Sequence, residues 1–65
     1  MKTTKTEAMK IYRTLYNLAD DEGTIQADQM QASGLTGGRP ELDCTQSIAS
    51  AFYSLTDDVD ISEVE

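Results

Sequence analysis

A chain of 65 residues makes one domain at most. Its net charge of −7, from 12 acids against 5 bases with no histidine, opposes direct binding to phosphates and removes the usual general base at neutral pH. The lone cysteine, Cys44, cannot close an internal disulfide, which favours a reducing, cytoplasmic setting (a host cytoplasm if the source is viral).

Leu, Ile, Val and Phe supply 12 of the 65 residues, just under the roughly 20% below which a highly charged chain struggles to build a core. Three Met and three Tyr partly offset the shortage. A folded but weakly stabilised domain follows, one that gains from a partner or from self-association. No apolar run approaches the roughly 20 residues of a membrane span, and Met1-Lys2-Thr3-Thr4-Lys5 lacks a signal peptide's apolar stretch. No membrane partner is expected.

The first helix has the clearest signature. Thr4-Lys5-Thr6-Glu7 fits a capping box, and Ala8, Ile11, Tyr12, Leu15, Leu18 and Ala19 recur at three- and four-residue spacing along one stripe. Gly23 is its expected stop. Asp20, Asp21 and Glu22 would then face the negative end of the helix dipole, a mildly unfavourable placement that hints at function as much as at a plain turn. A short extended piece at about 24–26 leads to a second helix over 26–33, with Ala27, Met30 and one of Gln31 or Ala32 inward, closed by Gly34 and Leu35. Thr36-Gly37-Gly38-Arg39-Pro40 reads as a linker.

A third helix is expected to begin at Pro40 or at Asp43, where Asp43-Cys44-Thr45-Gln46 is a second possible capping box. Cys44, Ile48, Ala51, Phe52 and Leu55 would form its buried stripe, with Ser47, Ser50, Tyr53 and Ser54 outward. Val59-x-Ile61 then suggests a short strand at about 59–61, or the start of an acidic tail. The expected fold is mainly α: a three-helix, helix-turn-helix-like domain over 1–56, with two very short strands and residues 57–65 as an acidic tail or strand.

The stretch Gly23-Thr24-Ile25-Gln26-Ala27-Asp28-Gln29-Met30-Gln31-Ala32-Ser33-Gly34-Leu35-Thr36 resembles the short strand, second helix and turn of a winged helix-turn-helix domain. That loose resemblance covers residues 8–61 and implies a third helix placed for a DNA groove. Residues 40–65 carry no Lys or Arg, so the basic contacts such a helix needs are missing. Asp20-Asp21-Glu22-Gly23-Thr24-Ile25 resembles the middle of an EF-hand calcium loop. With Gly23 sixth, the first and twelfth positions fall on Leu18 and Gln29 instead of Asp and Glu, which implies a helix-loop-helix without calcium. Neither a metal nor another cofactor is expected. Gly37-Gly38 lacks the Lys-Ser/Thr ending of a phosphate loop, and Cys44 has no imidazole partner.

Without a catalytic constellation, the residues point to a non-enzymatic protein-binding module. Charge is split: residues 1–13 carry four bases against Glu7, whereas residues 14–65 carry Arg39 against eleven acids. The expected partner is a larger protein with a basic surface, of the kind that handles nucleic acid. The acids would stand in for phosphates, as in the inhibitors of phages and mobile elements (anti-CRISPR and anti-restriction proteins). Candidate contact residues are Met9 and Tyr16 at the edge of the first helix's core stripe, the turn Asp20, Asp21 and Glu22, Tyr53, and the tail acids Asp57, Asp58 and Asp60, with Glu63 and Glu65 beside them. Two alternatives remain. One is a helix-turn-helix DNA regulator whose basic contacts come from Lys2, Lys5, Lys10, Arg13 and Arg39. The other is an assembly component or homodimer built through Met9, Tyr12 and Tyr16.

Overall fold

A computed structural model describes residues 3–64; Lys2 and Glu65 lie outside the described residues. The chain runs α1 (Lys5–Leu18), β1 (Thr24–Ile25), α2 (Ala27–Ser33), a 3₁₀ turn (Pro40–Leu42), β2 (Gln46–Ser47), α3 (Ile48–Thr56) and a second 3₁₀ turn (Ile61–Glu63). It is a mainly helical domain of three helices with one antiparallel two-stranded sheet, registered Thr24↔Ser47 and Ile25↔Gln46.

The cap of α1 forms where the sequence places it. Thr4 is extended and its hydroxyl accepts the Glu7 N–H at 3.2 Å. Ala8 and Leu15 are fully buried, Ile11, Tyr12, Leu18 and Ala19 pack at the core's edge, and Lys10, Thr14 and Asn17 are exposed. The helix ends at Leu18, five residues before Gly23. Asp20 causes the early stop: its carboxylate accepts from Glu22 N–H (2.9 Å) and Thr24 N–H (3.0 Å), and its own N–H donates to Thr24 O (2.9 Å). A side chain that satisfies two backbone donors competes with further helix. Gly23, at φ +77°, then turns the chain into β1.

β2 lies at Gln46–Ser47, not at residues 59–61. It therefore precedes the third helix, whereas a wing would follow it. The same pairing delays the helix. Residues 40–42 close a separate 3₁₀ turn, Gln46 spends its amide on Leu42 O (3.0 Å), and Ser47 becomes the cap by accepting Ser50 N–H at 3.1 Å. The capping box suggested at Asp43 is not used. Cys44 consequently sits in a loop and is exposed, not buried on the helix stripe. That stripe starts at Ile48 and runs through Ala51, Phe52 and Leu55, with Ala51 and Phe52 fully buried. In α2 only Met30 is fully buried; Ala27 is half-buried, and Gln31 and Ala32 are exposed, because seven residues offer the core little more than one inward position.

Among the described residues, Ala8, Leu15, Ile25, Met30, Leu42, Ala51 and Phe52 form the buried apolar core. Phe52 is its centre, edge-on to Tyr12 at 6.0 Å and to Tyr53 at 5.8 Å between ring centroids. Such edge contacts add about 0.5–1.5 kcal/mol each to simple burial. Thr56 is fully buried too, and its hydroxyl donates to Phe52 O at 2.7 Å, so no polar cost remains. The Cα envelope measures 26 × 26 × 14 Å, a flattened body in which few side chains lie far from solvent.

Candidate protein-docking surfaces

Two surfaces emerge from this frame. The first is a face of α1. Among the described residues, Met9 and Tyr16 are the exposed large apolar side chains, at 42% and 64% of full exposure, far more open than an edge of the core. Both line one groove of about 250 Å³ with Tyr12, Arg13 and Val64. Tyr16 also walls a second depression of about 370 Å³, shared with Ala19, Asp20, Asp21, Gly23 and Ile48. Tyr12 and Tyr16 lie 6.2 Å apart with rings tilted by 39°, which holds Tyr16 against a partly buried neighbour despite its exposure.

The second surface is the segment after α3. Asp57 caps the helix in the left-handed region (φ 55°), and Asp58 follows at φ 65°. Asp tolerates this conformation better than most residues, though at a cost that glycine would not incur. The two left-handed residues reverse the chain, so that Val59, Ile61 and Val64 turn onto the core. Asp60 caps the 3₁₀ turn, its carboxylate accepting from Ser62 N–H (3.0 Å) and Ser62 Oγ–H (2.9 Å). These bonds, the backbone one foremost, hold the Asp60 carboxyl below its ordinary value of 3.8. The alternation that suggests a strand at residues 59–61 is real, but it serves a turn: apolar residues inward, Asp57, Asp58, Asp60 and Glu63 outward.

Tyr53 differs from its expected exposure. It is half-buried against Phe52, and its hydroxyl accepts Ile61 N–H at 3.4 Å, so it anchors the acidic segment from beneath. Periodicity alone could not find this, because the residues that cover Tyr53 come from beyond the helix. Asp20, Asp21 and Glu22 are exposed in the α1–β1 turn, where the Asp20 carboxylate already serves the backbone. Among the described residues no three Asp, Glu or Cys side chains converge as a metal-binding group. No helix among them is long and apolar enough to cross a membrane.

The exposed face of α3 is Ala49, Ser50 and Ser54, and the helix has no charged residue. Fold and surfaces together define a small, acid-rich, mainly helical domain with an apolar groove on α1 and an anchored acidic turn after α3. No protein-family model matches the chain, and comparisons with curated proteins and with solved structures found no match.

Proposed function

We propose that this protein is a non-enzymatic binding module that docks its acidic surface on a basic, nucleic-acid-handling protein and blocks or adapts it by standing in for phosphates. The anchored turn after α3 carries the proposal. Val59, Ile61 and Val64 pack on the core, and Tyr53 takes the Ile61 N–H, so Asp57, Asp58 and Asp60 are displayed from a fixed backbone. Acids on a fixed frame avoid the ordering cost that a loose acidic tail meets on binding. All eleven acids of the described residues are exposed, and the hydrogen bonds from Ser62 favour the ionised form of Asp60. A helix-turn-helix regulator would need basic side chains on α3, which has none.

The test is capture of partners from a host lysate on the immobilised protein, compared with a D57N/D58N/D60N variant. Asn keeps the left-handed backbone and the cap acceptor while removing charge. The expected result is a basic protein held by the parent chain, lost by the triple variant, displaced by salt and displaced by duplex DNA. Binding indifferent to all three would overturn phosphate imitation. Retardation of duplex DNA by the protein itself at low salt would favour the DNA regulator instead.

A further inference from the structure

The geometry points to a second copy of this chain as the occupant of the α1 groove, paired antiparallel about a two-fold axis between Tyr12 and Arg13. Lys5, Met9, Tyr12 and Tyr16 recur at three- and four-residue steps on one stripe of α1, and Asp20 follows two residues past the helix end. The stripe has polarity. Lys5 stands at its start and Arg13 beside its middle, while Asp20 and Asp21 wall the depression next to Tyr16 at its end.

An antiparallel two-fold between positions 12 and 13 pairs residues whose numbers sum to 25, by the geometry of equal rise per residue. Within the helix, Met9 of each copy then meets Tyr16 of the other, and the two Tyr12 rings lie near the axis. Lys5 at the helix start comes up to the acidic turn beside the other's Tyr16, where Asp20 and Asp21 sit. Met9 and Tyr16, both exposed, are covered by one operation. A parallel pairing would set Lys5 against Lys5 and one acidic turn against the other. A basic partner would suit the acidic end of the stripe and be repelled by Arg13 at its middle and Lys5 at its start, so charge complementarity selects the second copy. Val64 of the segment after α3 lines the groove, but Asp57, Asp58 and Asp60 do not. A contact made by one stripe of a 14-residue helix is small, so association at micromolar or higher concentration is expected.

Solution mass, followed by light scattering and sedimentation from micromolar to millimolar protein, should rise from one chain to two and stop there, because a two-fold contact closes on itself. Y16E and M9E alter exposed positions and should abolish the rise while the circular dichroism spectrum stays unchanged. The register makes a prediction of sign. In the parent chain D20N removes an attraction to Lys5 and weakens the dimer several-fold. In a K5E chain D20N removes a repulsion and tightens it. Asn preserves the acceptor that Asp20 provides to the turn, and Glu at position 5 suits a first helical turn, so both variants should fold. A chain monomeric throughout, growth beyond a dimer, or D20N acting in the same direction in both backgrounds would overturn the proposal. Loss of partner capture by D57N/D58N/D60N with the dimer intact would show the two surfaces to be independent, as expected since none of these three acids lines the groove.

Discussion

β1–α2 and β2–α3 are built on one plan and do different work. Each has a two-residue strand that runs within two residues into a short helix, and each helix ends on a left-handed residue. Yet α3 buries Ala51, Phe52 and Thr56 against α1, whereas α2 buries Met30 alone. The capping differs as well. α3 is capped from within by Ser47, while α2 has no side-chain cap of its own at Gln26 and borrows Thr45, whose hydroxyl accepts Ala27 N–H at 3.2 Å across the sheet. α3 is thus self-sufficient and central; α2 is held on by its neighbour. Two units alike in outline can divide a domain into a core and a dependent part.

The largest test of that division is core truncation. Phe52→Ala should cost about 3–5 kcal/mol and leave a chain this small largely unfolded, while Met30→Ala should cost about 2–3 kcal/mol. Urea denaturation followed by circular dichroism compares them, and a larger loss at Met30 would reverse the roles assigned to α2 and α3. Next come the caps. Ser47→Ala and Thr45→Ala should each lose about 1 kcal/mol. Only Thr45→Ala should speed amide hydrogen exchange selectively in α2, since its hydroxyl serves that helix from outside.

The helix ends differ in sign. Gly34 sits at φ 74° with open space around it, so Gly34→Ala should destabilise by about 1 kcal/mol through backbone strain alone. Asp57→Gly relieves the same strain and should stabilise by about 0.5–1 kcal/mol in thermal melts. A stabilising Gly34→Ala would remove the distinction between the two ends. The smallest effect is at Asp60. Its carboxyl is held low in the folded chain, so its contribution is present above the unfolded value and disappears as pH falls from about 3.8 through the lower folded value. Asp60→Asn should flatten that acid limb of the stability curve and leave the neutral region little changed.

Much of the fold is legible in the residues themselves. The Thr4 cap, the α1 stripe, the Gly34 stop and the Ile48–Leu55 stripe follow from local periodicity and capping chemistry, which neighbours do not override here. The candidate surfaces are legible in part. Met9 and Tyr16 stand out at the edge of the stripe, but whether an edge residue is covered depends on what packs beside it. Tyr53 and Cys44 show the opposite failure: one is covered by Ile61 from beyond its helix, the other freed because the helix begins later than its pattern suggests.

What the sequence by itself determined is the class of structure and the charge: three amphipathic segments, a basic start, an acidic body and no histidine. Those properties reside in single side chains and in spacings of three and four residues. Tertiary structure decided where β1 finds its partner, and with it where α3 starts. It also decided whether residues 57–64 hang free or fold back. Both outcomes depend on contacts between residues far apart in the chain. Gln46–Ser47 pairs with Thr24–Ile25 across more than twenty residues, and Val59, Ile61 and Val64 gain burial only because α1 and α3 have already built a surface to cover.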